Sequence, residues 1–341
     1  MASLFELGRV GRLEVENRLV RSATCEWMCD AEGRPPRQLI DLYAGLAQGG
    51  VGLIIASCAL ATRPPGPWMG HLGIYTDSQV DRLRAIGAAV HAQGVPIVVQ
   101  IGMRGMPPVT DMTEAEIAGA IVAYGQAARR AQSAGFDGLQ LHGAHGNLIS
   151  CFLSPYANRR SDRWGGSADS RFSFLVAVCA EVRGQVGADF PVWIKLASQD
   201  FVAGGLTPEE GAAIAARLAG IGIGAIEISG GVGGDERIGN ERAGIRHVAD
   251  EGYFRENAQL VRRATDLPLM LVGGFRTRAV VAQALDEGMD FVSLSRPLIN
   301  DPQLPNKWRR GSEERAGCIS CNLCLKNRDR PLRCWHKYPE G

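Results

Sequence analysis

The stretch LQLHGAHGNLISCFLSPYANRRSDRWGGSADSR, residues 139–171, joins an apolar strand pattern to a polar cluster, a short helix and an arginine-rich loop that leads into another helix. His142 and His145 lie beside glycines where that strand pattern ends. Polar side chains at the carboxyl ends of parallel strands are typical of the mouths of α/β proteins, where ligands bind. The stretch therefore predicts an α/β fold that presents two histidines at such a mouth.

Outward from this stretch, short apolar or β-branched runs alternate with amphipathic helical stretches. The predicted strands are 18–24, 51–59, 96–101, 138–142, 192–197, 225–229, 269–272 and 291–295. The predicted helices are 37–48, 80–93, 114–133, 171–186, 208–218, 256–265 and 278–287. Thr113 with Glu116, and Thr207 with Glu210, have the spacing of capping boxes that open two of these helices. Eight predicted strands that alternate with helices indicate a parallel sheet. Because no Gly-x-Gly-x-x-Gly turn follows the first strand, they favour a closed (β/α)8 TIM barrel over a doubly wound sheet.

The two ends of the chain carry additions to this barrel. Residues 3–16 alternate apolar and polar positions, which predicts a small N-terminal hairpin. Four of the nine cysteines fall within the last 24 residues. We therefore expect the barrel to span residues 1–310 and a short cysteine-rich extension to span residues 311–341.

Composition excludes several classes of protein. The 341 residues are 45% hydrophobic and 21% charged with a net charge of +1, so no basic surface for nucleic acid is indicated. The uncharged stretch 42–62 is split by Gln48-Gly49-Gly50, which argues against a membrane span. The first ten residues do not read as a signal peptide, and an odd number of cysteines indicates a reducing compartment. We expect a cytoplasmic protein with no nucleic-acid or membrane partner.

Further polar residues and glycines follow the predicted strands, at the end where such barrels have their active sites. They are Gln100, Lys195, Gly273, Gly274, Ser295 and Arg296. The glycine pair and Arg296 predict a phosphate site after strands seven and eight, because exposed N–H groups and a guanidinium bind anions. Thr277 is placed to cap the next helix, whose N-terminus also favours negative charge. Lys195 has three interpretations: a Schiff-base lysine as in an aldolase, a fixed cation facing an anionic ring, or a rim residue paired with Asp200.

Longer motifs carry a family resemblance that covers about residues 4–308. They are RLVRSATCEW, VVQIG, LHGAHGNLISCFLSPYANRRSDRWGGS, WIKLASQDF, LVGGF and SLSRPLINDP. In these motifs the chain resembles the old yellow enzyme family of NADH:flavin oxidoreductases. The resemblance implies an FMN-binding barrel that reduces small molecules, with NAD(P)H or a redox protein as the electron donor.

The resemblance also implies roles for single residues. Gln100 would bond to the pyrimidine edge of the flavin, and Lys195 would face its N1 and O2 region. The remaining FMN contacts would come from Ala23, Thr24, Cys25, Cys58, Gly273, Gly274, Ser295 and Arg296. His142 and His145 would donate hydrogen bonds to the carbonyl oxygen of an activated alkene, which polarises the alkene for hydride transfer.

Two positions depart from the family pattern. Asn147 stands two residues after His145, where the family usually has a tyrosine that protonates the α-carbon, and Trp27 stands where a substrate-facing tyrosine is common. Because an amide cannot act as a general acid, another group or water supplies the proton, or the reaction does not need one there. Asn147 is thus a catalytic position with altered chemistry. Arg104, Arg237 and Arg246 are candidates for contact with an anionic substrate.

The tail cysteines have the spacing Cys318-x2-Cys321-x2-Cys324-x9-Cys334. Four thiolates at such intervals suit a 4Fe-4S cluster, with zinc or no metal as alternatives. A similar pattern follows the barrel in the branch of the family that includes trimethylamine dehydrogenase and 2,4-dienoyl-CoA reductase. That resemblance implies a cluster that exchanges electrons with FMN.

The leading hypothesis is an FMN-dependent oxidoreductase of the ene-reductase type, in which reduced FMN gives hydride to a C=C conjugated with a carbonyl. We expect it to act as a homo-oligomer. Asn147 and the cysteine tail motivate an alternative, an amine dehydrogenase or demethylase that passes electrons from FMN to an iron–sulfur cluster. A third hypothesis is an electron-transfer subunit of a larger complex.

Overall fold

A computed structural model describes residues 3–63, 70–232, 239–327 and 330–339. The strands are β1 Gly8–Val10, β2 Leu13–Val15, β3 Leu19–Arg21, β4 Leu53–Leu60, β5 Ile97–Gly102, β6 Gly138–Gly143, β7 Val192–Ala197, β8 Ile226–Ser229, β9 Leu269–Val272 and β10 Phe291–Leu294. The helices are α1 Arg37–Gln48, α2 Val80–His91, α3 Glu114–Ser133, α4 Leu148–Leu153, α5 Ala168–Val186, α6 Pro208–Arg217, α7 Arg255–Ala264, α8 Arg278–Asp286, α9 Arg296–Asn300, α10 Leu304–Arg309 and α11 Leu323–Lys326.

Strands β3 to β10 close into a barrel, in which each strand pairs with its neighbour in the chain and β10 pairs in parallel with β3. Helices lie between consecutive strands, so the predicted (β/α)8 TIM barrel is confirmed. The predicted N-terminal hairpin is also present, because β1 and β2 pair antiparallel. Among the described residues, no helix is long and apolar enough to cross a membrane.

Strand alternation decides which side chains face the barrel interior. On β7, Ile194 and its alternate neighbours pack in the large core between strands and helices, whereas Trp193 belongs to a separate inner core. Val10 and Val15 of the hairpin join Trp193 and Phe291 in that inner core. The hairpin therefore closes the amino-terminal end of the barrel with apolar side chains. Each such buried side chain contributes roughly 1.5–3 kcal/mol.

Local hydrogen bonds fix where several helices begin. The two predicted capping boxes are present: Glu116 N donates to Thr113 Oγ1 at 3.2 Å, and Glu210 N donates to Thr207 Oγ1 at 3.2 Å. Helix α5 begins at Ala168, three residues earlier than predicted, because Ser167 accepts a hydrogen bond from the next turn. Helices α9 and α10 extend the fold beyond the last strand.

Candidate active site at the carboxyl ends of the barrel strands

A cavity of about 420 Å³ opens at the carboxyl ends of the barrel strands. Most of the residues predicted for the site line it together: Ala23, Thr24, Cys25, Cys58, Gln100, His142, His145, Lys195, Gly274, Ser295 and Arg296. Asn147 and Gly273 are not among the residues that line it. Arg104 lines the cavity and Arg246 does not, while Arg237 lies outside the described residues.

The floor of the cavity carries an ion pair that the sequence analysis did not identify. Lys195 points into the barrel, as predicted, and its Nζ lies 2.9 Å from Glu227 Oε2. The expected alternative partner, Asp200, instead accepts hydrogen bonds from Ser154 Oγ at 2.6 Å and Leu206 N at 2.8 Å. This ion pair engages Lys195 Nζ, which favours the fixed-cation interpretation over Schiff-base chemistry.

His142 and His145 form a pair of neutral imidazoles on one side of the cavity. Their ring centroids lie 5.0 Å apart with an interplanar angle of 87°. Burial, together with the positive charges of Lys195 and Arg104, lowers the pKa of both rings well below the usual value. His145 Nε2 lies 2.7 Å from Ser229 Oγ. Each neutral ring keeps one N–H, so the pair can present donors to a carbonyl oxygen.

Asn147 lies behind the histidines. Its Nδ2 donates to Ala144 O at 3.3 Å, and Cys58 Sγ donates to its Oδ1 at 3.9 Å. The side chain is fully buried and is directed at the protein. The structure therefore places the predicted catalytic position next to the histidine turn but off the cavity wall.

Two turns at the ends of β9 and β10 form the predicted phosphate region. Gly274 has φ 75°, and a Cβ there would lie 2.9 Å from the Tyr253 ring, so this turn requires glycine. Arg296 is buried and donates to Arg242 O at 2.8 Å and to Asn322 Oδ1 at 2.5 Å. Ser295 Oγ lies 2.8 Å from Thr24 Oγ1, which ties the turn to the first barrel strand.

The prediction for Thr277 was wrong. Its side chain makes no capping hydrogen bond to α8; instead its hydroxyl donates to Glu251 Oε1 at 2.8 Å. Glu251 Oε2 accepts from Arg276 N at 2.7 Å and from Thr277 N at 2.9 Å. A carboxylate thus accepts the hydrogen bonds of the two residues just before α8, beside the helix N-terminus where the sequence analysis had expected a ligand's negative charge. Arg276, which was not predicted, lines the cavity nearby.

Cys25 has a partner that the sequence did not reveal. His71 Nδ1 lies 3.3 Å from Cys25 Sγ, and the His71 ring packs edge-on against Trp27 with centroids 4.3 Å apart. Burial raises the pKa of the Cys25 thiol well above its usual value. Cys25 therefore lines the cavity as a neutral thiol. His71 lies far from Cys25 along the chain and outside every motif, so no sequence signal pointed to it.

The cysteine tail folds over the same mouth. Ser320 and Leu325 line the cavity, and Asn322 bonds to Arg296. The four predicted metal ligands, Cys318, Cys321, Cys324 and Cys334, are free thiols. Within the described ranges, no group of three or more His, Cys, Asp or Glu side chains has the arrangement of a metal site. The structure does not, therefore, show the predicted metal centre.

A family model described as "NADH:flavin oxidoreductase / NADH oxidase family" matches residues 3–108 and 106–315. The chain belongs to this family. The family predicted from the motifs is thus confirmed, and membership supports an FMN-dependent oxidoreductase.

Relatives of the family share the whole length of the chain. It is 32% identical over 354 residues to an NADH oxidase of Thermoanaerobacter brockii, covering 96% of this chain and 54% of the relative. It is 30% identical to a 4,4'-dithiodibutanoate disulfide reductase of Rhodococcus erythropolis, covering 97% of this chain and 94% of the relative. A solved 2-naphthoyl-CoA reductase complex superimposes with a TM-score of 0.87 at 26% identity, covering 94% of this chain and 54% of that one. The chain spans about half the length of the NADH oxidase.

The cavity fits the FMN that the family implies. Gly274, Arg276 and Arg296 line the same cavity, so a backbone turn and two guanidinium groups are available to a phosphate. Gln100 and Lys195 place an amide and a cation on the floor, where a flavin ring has its polar edge. His142 Nδ1 is buried without a hydrogen-bond partner among the described residues. These donors suit an anionic, planar ligand with a phosphate at one end.

Proposed function

We propose that this protein is an FMN-dependent oxidoreductase that reduces a C=C bond conjugated with a carbonyl. One observation carries the proposal: two neutral imidazoles, His142 and His145, share a cavity with the cation Lys195 and the buried guanidinium of Arg296. The family supplies the flavin class, and the 2-naphthoyl-CoA reductase likeness is in keeping with an activated, unsaturated substrate. The direct electron donor is NAD(P)H or a redox protein.

FMN, when bound, supplies a hydride. The cavity residues would hold it through its two polar ends: Arg296 and the Gly274 turn at the phosphate, Gln100 and Lys195 at the ring. Lys195 stabilises negative charge on the floor of the cavity because a cation in a water-poor site interacts strongly with an anion.

His142 and His145 act on the substrate. Each neutral ring donates an N–H to the substrate carbonyl oxygen, which draws electron density from the conjugated β-carbon. A charged imidazolium is not required, and the lowered pKa of both rings keeps them neutral at physiological pH. Removing one preorganised donor of this kind costs about 100- to 1000-fold in rate.

Asn147 does not deliver the proton to the α-carbon. An amide is not a general acid, and this one is turned toward Ala144 O and Cys58. The proton therefore comes from water or from another cavity group.

The test is anaerobic stopped-flow reoxidation of the photoreduced flavin by a panel of enones and enoyl thioesters. We expect at least one to reoxidise the flavin, and His145→Asn to slow that step about 100-fold or more while FMN stays bound. Cys179→Ser, a buried cysteine on α5, is the matched control and should not change the rate. Absence of reoxidation by every member of the panel would contradict the proposal.

We also propose that the tail carries a 4Fe-4S cluster held by Cys318, Cys321, Cys324 and Cys334. Two contacts support thiolate ligands there: Ser320 N donates to Cys318 Sγ at 3.4 Å, and Asn300 Nδ2 donates to Cys334 Sγ at 3.2 Å. Such N–H···S bonds are a means by which proteins tune these clusters.

The cluster is tested on anaerobically purified protein. We expect about four iron and four sulfide per chain and an EPR signal on reduction, all lost in Cys321→Ser and kept in Cys179→Ser. Stoichiometric zinc without sulfide would support the zinc alternative instead of the cluster. The absence of both iron and zinc would refute a metal centre.

A second candidate function follows from that cluster. If the tail accepts electrons, the same cavity suits a dehydrogenase or demethylase that oxidises methylated amines. Anaerobic bleaching of the oxidised flavin by such amines, with reduction of the cluster, would favour this direction. No bleaching across a methylated-amine panel would exclude it in favour of alkene reduction.

A further inference from the structure

Glu227 on β8 is a buried carboxylate at the centre of the barrel. Its side chain is fully buried, yet three polar groups surround it. Ser22 Oγ donates to its Oε1 at 2.7 Å, and Gln140 Nε2 donates to its Oε2 at 3.0 Å. Lys195 Nζ completes the set at 2.9 Å. A buried charge with this many partners is held in one position.

The carboxylate also fixes the orientation of the two neighbouring amides. An ionised carboxylate only accepts hydrogen bonds, so Gln140 must turn its Nε2 toward Glu227. Its Oε1 then faces the other way and accepts from Gln100 Nε2 at 2.6 Å. One N–H of Gln100, a residue that lines the cavity, is therefore used in the hydrogen bond to Gln140. Through Gln140, Glu227 therefore determines which hydrogen-bonding groups of the Gln100 amide remain available to a ligand.

The ammonium of Lys195 is oriented by the same residue. Lys195 Nζ donates to Ser22 Oγ at 2.9 Å as well as to Glu227, which uses two of its three N–H groups and leaves one for the cavity. Burial by itself would raise the pKa of Glu227, but the Lys195 charge and the hydrogen bonds hold that pKa below its usual value. Lys195 on the floor of the cavity is thus paired with a buried carboxylate whose charge opposes its own.

We infer that Glu227 is a positioning residue that lowers the reduction potential of the bound flavin by offsetting the charge of Lys195 and orienting its ammonium. Two-electron reduction adds negative charge to the flavin, which an uncompensated cation stabilises and a compensated one stabilises less. The inference rests on the proposed FMN function.

The test is the two-electron midpoint potential of purified, FMN-loaded protein, measured by dye equilibration. Glu227→Gln keeps the size of the side chain but removes its charge and replaces one of its two accepting oxygens with a donating NH2 group. We expect the equilibrium to shift at least tenfold toward the reduced flavin, which is about 30 mV for a two-electron couple. Glu227→Asp keeps the charge but moves it away from Lys195, so its shift should have the same sign and be smaller. If Glu227→Gln does not fold, Glu227→Asp alone tests the inference.

Asp200→Asn is the matched control, because Asp200 is also a buried carboxylate near the end of β7 but does not line the cavity. Its potential should equal that of the parent. An unchanged or lower potential in the folded, FMN-loaded Glu227 variants would overturn the inference. A parent protein that binds no FMN would instead refute the proposed function, so the two failures are distinguishable.

Discussion

Lowering the pH should destabilise this protein through its histidine pair. His142 and His145 are buried and neutral in the folded chain, and burial holds the pKa of each well below its usual value. In the unfolded chain both titrate near about 6.5, so below that pH the unfolded state binds more protons than the folded state. The stability that they contribute is therefore fully present above pH 6.5 and is lost as pH falls toward their folded-state pKa values.

The size of the effect follows from the number of rings. For a ring that stays neutral in the fold, a drop from pH 7.5 to 5.5 costs about 1.4 kcal/mol, or about 2.7 kcal/mol for the pair. Urea unfolding at the two pH values and at one FMN concentration measures this cost as a change in the free energy of unfolding.

Variants separate these rings from every other titrating group. His142→Asn and His145→Asn should each remove about half of the histidine contribution, and the double variant should remove nearly all of it. Because carboxylates and surface histidines are common to all four proteins, their contributions cancel in the comparison. A double variant with the same pH dependence as the parent would refute the reasoning, since it would mean that neither ring resists protonation in the fold.

Three further outcomes test other parts of the structure. Arg296→Lys should weaken FMN binding tenfold or more by fluorescence titration, since a lysine cannot hold the Arg242 carbonyl, the Asn322 side chain and a phosphate together; equal affinity would contradict this. Thr113→Ala should cost about 1 kcal/mol of unfolding free energy by removing the cap of α3, whereas Thr113→Ser should keep most of it. Phe174→Ala should cost about 3–5 kcal/mol because its fully buried ring stacks on Phe152 at 4.0 Å, and Phe174→Leu should cost clearly less; equal costs would point away from packing.

The elements of the fold were readable from the sequence where local physics decides them. Apolar and β-branched runs predicted the barrel strands, and capping boxes such as that of Thr113 placed helix starts to the residue. Thr277 shows where this reasoning fails: its local pattern was that of a cap, but its hydroxyl and its backbone N–H both donate to Glu251, which is remote in sequence. Long-range partners of this kind cannot be inferred from local spacing.

The residues that line the site were predictable from the sequence, but the buried residue that positions them was not. Gln100, Lys195 and the histidines were found because polar residues at strand ends stand out in an apolar pattern. Glu227 carried the same signal, a charge inside the apolar run of β8. It lies in none of the family motifs, and the sequence analysis did not identify it. A charged residue within a buried strand demands a partner, so that rule would have found both members of the ion pair.

Asn147 gains a different meaning from its surroundings. Ala144 O accepts from both the backbone N of Asn147, at 3.2 Å, and its side-chain Nδ2, at 3.3 Å, which closes the turn between them. Within that turn His145 has φ 61°, an unfavourable conformation for a residue other than glycine. A Cβ on Gly102 would lie 2.6 Å from Asn147 Oδ1, so the strand end is packed directly against this amide. Asn147 therefore braces the turn that aims His145, and the chain has a structural amide where a proton donor would otherwise be expected. The family pattern places the carbonyl-binding ring and the proton donor two residues apart; under the proposed function, this turn would keep the ring of His145, and the proton would come from water or from another cavity group.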